Sequence, residues 1–185
     1  GRRGQMCIRA GNSVAIGTLA GLTSQGANSV GVGVNAGRSN QKAEATAMGN
    51  AAGYTGQAAN GTAIGSVAGH SNQGAQATAV GREAGTANQG LNATAVGYNA
   101  GCASQGANTV AVGNAAGSDA QGARTVAVGY YAGYTSQGTY ATALGHNSGK
   151  ITQGTTAVAV GEGAGEQCQG VHSVAVGYIA GSADQ

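Results

Sequence analysis

From Ser13 onward, apolar and polar positions recur every sixteen residues without an insertion or deletion. The copies open at Ser13, Ser29, Ala45, Gly61, Ala77, Ala93, Thr109, Thr125, Ala141, Ala157 and Ser173. Residues 125–140, TVAVGYYAGYTSQGTY, show the pattern in full. Counting places from the start of each copy, the second is always β-branched, as in Val14, Thr46, Thr94, Val126 and Val174, and the fourth is always a larger apolar residue, as in Ile16, Met48, Val112, Leu144 and Val176. The third is Ala, with Gly31 the one exception. Such alternation predicts a short strand with branched side chains on one face and very small ones on the other. The fifth and ninth places are Gly in every copy, from Gly17 to Gly177 and from Gly21 to Gly181, and mark points where the chain turns or packs tightly. The thirteenth is Gln throughout, from Gln25 to Gln185, and the fourteenth is Gly except at Lys42 and Ala58.

Each repeat therefore reads as strand, glycine bend, second short extended piece and bend. Strict repetition of such a unit is a solenoid signal. The expected fold is an all-β, parallel β-solenoid of about eleven sixteen-residue coils over residues 13–185, entered through a lead-in or cap over residues 1–12. A chain that stops inside a repeat also reads as part of a longer protein.

Composition narrows the classes. With 37 Gly and no Pro, Trp or Phe in 185 residues, the chain lacks the bulky residues of an ordinary globular core. Collagen needs glycine at every third place, which this chain does not have. A charged fraction of 8% with rigidly periodic Val and Ile argues against disorder. No apolar run approaches the roughly 20 residues that span a bilayer, so no membrane insertion by this segment is expected. If the branched places turn inward, each coil buries about two aliphatic side chains, worth roughly 1.5 to 3 kcal/mol each. Ordering sixteen residues costs roughly 1 to 2 kcal/mol per residue. That core is thin, and oligomerisation is the expected remedy, with the small third place suited to close contact with another chain.

The motif NSVAIG at residues 12–17, returning as SVAVG or TAVG in the later copies, resembles the YadA-like head repeat of trimeric autotransporter adhesins. The resemblance implies a left-handed parallel β-roll in which three identical chains form a rod with an adhesive surface. The repeat here is sixteen residues rather than the usual fourteen, with an added Q-G element. In that form it is similar to repeats in fibre and attachment proteins of large DNA viruses and phages. The resemblance thus implies a homotrimeric, extracellular fibre module on a virion or cell surface, attaching to a glycan or protein receptor of a host. On this reading Ala15, Ala47, Ala63, Ala79, Ala95, Ala111 and Ala127 would lie nearest the threefold axis.

Site chemistry is sparse, and neither an enzyme nor a cofactor is expected. Glu162 and Glu166 flank one bend and read as a solvated acidic pair rather than the two carboxylates of a glycan depolymerase. His70, His146 and His172 occupy the tenth, sixth and sixteenth places, and Cys7, Cys102 and Cys168 are many coils apart, so neither a metal site nor an intrachain disulfide is expected. A net charge of +2, with Arg2, Arg3 and Arg9 gathered near the start, is too small and scattered for nucleic-acid binding. Asn60 and Asn92 begin N-x-T sequons that the repeat spacing produces by itself.

The aromatic residues are more telling. All seven are Tyr, and Tyr130, Tyr131, Tyr134 and Tyr140 fall within one copy, with His146 and Asn147 one coil on. These six residues form the candidate ligand-contact group, since exposed tyrosines beside amides can stack on sugar rings and bond their hydroxyls. The competing reading is that the tyrosines shield the bends or pack between chains. An ice-binding solenoid is the alternative function, suggested by Thr46, Thr62, Thr78 and Thr94 in one column. Their shared strand face with the apolar fourth place predicts that these threonines turn inward.

Overall fold

The computed structural model describes residues 6–9 and 11–183. Among them there is no helix, and parallel strands sixteen residues apart stack into a β-solenoid of about ten turns. The second to fourth places form the front strand of each coil, and eleven such strands join with Met6–Arg9 in a twelve-stranded sheet. Rungs are in strict register, as in Val110↔Val126, Ala111↔Ala127 and Val112↔Val128. Met6–Arg9 is the exception, pairing antiparallel with Ser13–Ile16. Arg2 and Arg3 of the basic group lie outside the described residues.

The eleventh to thirteenth places form the back strand, which builds a second sheet of seven strands from Ser71–Gln73 to Gln167–Gln169. Before Ser71 the back is held by single bridges, Thr23↔Ser39, Ser39↔Thr55 and Thr55↔Ser71. These early coils include the two in which Lys42 and Ala58 replace the fourteenth-place glycine. A Cβ at the equivalent Gly74 would lie 2.5 Å from Gly90 O, so a side chain there requires a different path.

The inward face is the reverse of the one the alternation suggested. Third-place alanines such as Ala47, Ala63, Ala79, Ala95, Ala111 and Ala127 are fully buried inside their own coil, as are Ala36, Ala52, Ala68 and Ala132 of the eighth place. The second and fourth places point outward: Ile16, Met48, Ile64 and Leu144 are about 40% exposed, at 40%, 42%, 39% and 41%. Thr46, Thr62, Thr78 and Thr94 also face out, half-buried beside them. The reason is the narrow interior. The buried thirteenth-place glutamine crosses from the back strand to the front, Gln41 Nε2 donating to Val30 O at 2.8 Å and to Ala45 O at 3.2 Å. Its amide rests on the ninth-place glycine, where a Cβ on Gly37 would come within 2.5 Å of Gln41 Oε1. Only Ala, Ser, Thr or Gly fits around that amide, and a branched side chain does not.

The glutamines also run along the rod. Gln41 donates to Gln57 Oε1, Gln121 to Gln137, Gln137 to Gln153 and Gln153 to Gln169, all at 3.0–3.1 Å. First-place hydroxyls close the adjoining bend, Thr109 Oγ1 donating to Gly106 O at 3.0 Å and Thr125 Oγ1 to Gly122 O at 3.1 Å. The solenoid is therefore held by coil-to-coil backbone bonds and a polar amide spine, with alanine filling the remainder.

Candidate functional site

A solenoid turns each place of the repeat into a column along the rod, so surface chemistry is read down columns. Nearly all exposed large apolar side chains lie on the front face or on its two flanking edges. The edge after the front strand carries Leu19, Val34, Tyr98, Tyr130, Tyr178 and Ile179, and the edge before it carries Leu91, Tyr140 and Val171. Among the described residues the exceptions are Leu22, at the tenth place next to the back strand, and Ile151, on the back strand itself. Elsewhere the back strand presents residues such as Thr23, Asn72, Ala87, Ser104 and Thr135.

The sixth, seventh and tenth places share the bend between the two strands, and this brings most of the candidate group together. Tyr130 and Tyr131 meet edge to face at 4.4 Å, and Tyr131 meets Tyr134 likewise at 4.8 Å. His146, one coil on, stacks over Tyr130 at 5.4 Å, and the Lys150 ammonium lies 5.9 Å from the Tyr131 ring centre. Partial desolvation, then a hydrogen bond shared with Tyr131, raises the Tyr130 hydroxyl pKa above its ordinary value. Asn147 takes the left-handed corner of its coil, at φ 55°, and its amide N–H donates to Tyr130 O at 2.9 Å. Tyr140 does not join them. Its sixteenth place lies on the opposite edge, where Arg124 of the preceding coil covers its ring at 5.3 Å.

That cation–aromatic contact recurs. Arg38, Arg82 and Arg124 each lie over the tyrosine one coil on: Tyr54 at 5.1 Å, Tyr98 at 5.3 Å and Tyr140 at 5.3 Å. Tyr54 in turn stacks on His70 at 4.8 Å with planes 3° apart. The rung spacing of a parallel sheet, about 4.8 Å, is close to the separation stacked rings prefer, so column neighbours stack without adjustment. A tyrosine capped in this way contributes to the rod's own lateral packing.

The acidic pair does not converge. Glu162 Oε1 lies 3.7 Å from His146 Nδ1 in the sixth-place column, and Glu166 Oε1 lies 3.2 Å from Lys150 Nζ in the tenth. Each carboxylate is engaged by the coil before it. Among the described residues no group of His, Cys, Asp and Glu gathers as a metal site, and Cys102 and Cys168 are free thiols. Among the described residues no helix is long and apolar enough to cross a membrane. Both sequon asparagines, Asn60 and Asn92, stand exposed at left-handed corners. No family model, curated protein or solved structure matches the chain.

Proposed function

We propose that this chain is a rod segment of an extracellular attachment fibre, carried on a virion or cell surface and assembled from three copies through the front sheet. The observation that supports the reading is the one-sided apolar surface. Eleven rungs at about 4.8 Å and three residues at about 3.3 Å give a face roughly 50 Å by 10 Å. Shared among the three pairwise contacts of a trimer, these faces give only roughly 500 Å² per contact, short of the roughly 1,200–2,000 Å² of a standard interface, so the apolar flanking edges must supply the remainder. Around a threefold axis parallel to the rod, every front strand runs tangentially. The edge after one copy's strand then approaches the edge before the next copy's strand, and both of those edges carry the remaining apolar residues.

The contact side chains in this assembly are the second- and fourth-place residues, and the alanines belong to each chain's own interior. Val112→Lys combined with Val128→Lys places two charges on that face without touching the coil core. The double variant is expected to keep the circular dichroism of the rod while its mass by light scattering falls from three chains to one. A wild-type chain that is already monomeric at micromolar concentration overturns the trimer. The host contact is a glycan or protein receptor bound by the exposed columns, and the measurement is binding of the purified rod to host surfaces.

One observation favours a second reading, ice binding. Thr46, Thr62, Thr78 and Thr94 occupy consecutive in-register rungs and face outward, contrary to the expectation from sequence. The two readings compete for one face. Thermal hysteresis and inhibition of ice recrystallisation by the chain, lost in Thr62→Lys with Thr78→Lys, would support ice binding against the fibre.

A further inference from the structure

After Thr18, Val34, Asn50 and Ser66, the sixth-place column turns largely aromatic or cationic, reading Arg82, Tyr98, Asn114, Tyr130, His146, Glu162 and Tyr178 in successive coils. Arg82 lies over one face of Tyr98, and His146 stacks on one face of Tyr130. Both partners come from the outer side of the pair, one coil below Tyr98 and one coil above Tyr130. The face of Tyr98 turned from Arg82 and the face of Tyr130 turned from His146 therefore look toward each other across the level of Asn114, with Tyr131 set at right angles against Tyr130 at 4.4 Å. Tyr98 and Tyr130 are 45% and 48% exposed, and Asn114 is exposed between them. At the next place of the same coil Ala115 is small and buried.

The identity of Asn114 has no backbone cause. Asn99 and Asn147 occupy left-handed corners, at φ 57° and 55°, where asparagine is favoured, whereas Asn114 is not at positive φ. Its side chain offers an amide donor and a carbonyl acceptor at the base of the gap.

We propose that this missing rung is a binding slot for one pyranose ring of a glycan, with Tyr98 and Tyr130 as its walls and Asn114 as its floor. The proposal rests on the attachment reading and names the ligand class. Two rung spacings separate the walls by about 9.6 Å. A planar ring centred there would stand about 4.8 Å from each wall, beyond the roughly 3.5–4.0 Å of good carbon contact. A chair-shaped saturated ring, with hydrogens standing off both faces, closes that difference. Its outward hydroxyls remain in water, and those at its inner edge reach the Asn114 amide. In the proposed trimer, the neighbouring edge at this level is formed by Ala107, Asn108, Ala123 and Arg124, of which only Arg124 is large, and it lies over the Tyr140 ring one coil on.

The test is titration of the purified chain with lactose and N-acetyllactosamine, together with binding to an array of neutral and acidic saccharides. Asn114→Tyr completes the column with a residue that the sixth place already accepts at Tyr98, Tyr130 and Tyr178, so the fold is expected to be kept. Saccharide binding should fall at least tenfold in Asn114→Tyr and in Tyr98→Ala, while Tyr54→Ala, in another column, leaves it unchanged. Because the slot lies within one chain, the monomeric Val112→Lys, Val128→Lys variant should still bind. Failure of every pyranose to bind the wild type, or binding unaffected by Asn114→Tyr, overturns the slot. Attachment to host surfaces that persists in Asn114→Tyr would leave the fibre reading standing without the slot, whereas wild type that binds saccharide but no host surface removes the fibre reading and keeps the slot.

Discussion

At the scale of single residues, the fold depends on how often the backbone turns left-handed. The fifth-place glycines lie near φ 125–130° and the ninth-place glycines near 53°, but the seventh, twelfth and sixteenth places are also at positive φ and hold many residue types. Asn35, Asn72, Asn92 and Asn108 suit such corners, while Val67 at φ 63° does not, since a branched Cβ crowds the carbonyl there. Val67→Asn should raise stability by about 1 kcal/mol, read as a higher denaturant midpoint. Gly97→Ala should act in the opposite direction. At φ 128° its Cβ would sit 2.4 Å from Gly113 O, and a loss of about 3 kcal/mol or more is expected in the same measurement.

At the scale of the element, the coil depends on an amide where most cores have hydrocarbon. Gln137 Nε2 donates to Val126 O at 3.0 Å and to Gln153 Oε1 at 3.1 Å. Gln137→Glu replaces these donors with a buried carboxyl group that must ionise beside carbonyls, so its pKa in the folded chain rises above the unfolded value of about 4.3. The protonated acid keeps one donor. The defect should therefore be small below about pH 4 and grow as pH rises through the folded pKa, to a few kcal/mol near neutrality, as followed by thermal unfolding across pH. The period, the two strands and the bends were legible in the sequence because the fifth- and ninth-place glycines and the thirteenth-place glutamine recur without exception. Which strand face turns inward was not. The rule that branched residues are buried assumes an interior wide enough to hold them, and the Gln41-to-Val30 span leaves room only for alanine. Tyr130, Tyr131, Tyr134 and His146 were legible as neighbours because their places share a bend. Tyr140 was misjudged because nearness along the chain hid the width of the coil, and the gap at Asn114 emerges only when the covered ring faces on either side are known.

At the scale of the whole molecule, each coil bonds only to the coils before and after it, as in Gly33 N to Ile16 O and Val14 N to Ser29 O. Stability is then close to a sum over neighbours, and whole coils are exchangeable units. Removing residues 93–108, one complete coil, should give a folded rod about 4.8 Å shorter by small-angle scattering. Removing residues 93–100 breaks the period and should unfold the coils around the junction. The first deletion also takes away Tyr98, so any saccharide binding should disappear although the rod persists.

The coil-to-coil hydrogen bonds run along the rod, and this determines how it bears a load. Tension applied to the two ends of one chain falls on the terminal coil alone, because no bond reaches past the next neighbour. Coils should then peel away singly at low force, each freeing sixteen residues and lengthening the chain by roughly 50 Å, up to about 3.3–3.6 Å per residue. A single chain is thus an extensible tether, whereas three chains joined along their front faces would have to peel together. In the proposed fibre, association of copies would therefore change compliance as well as stability.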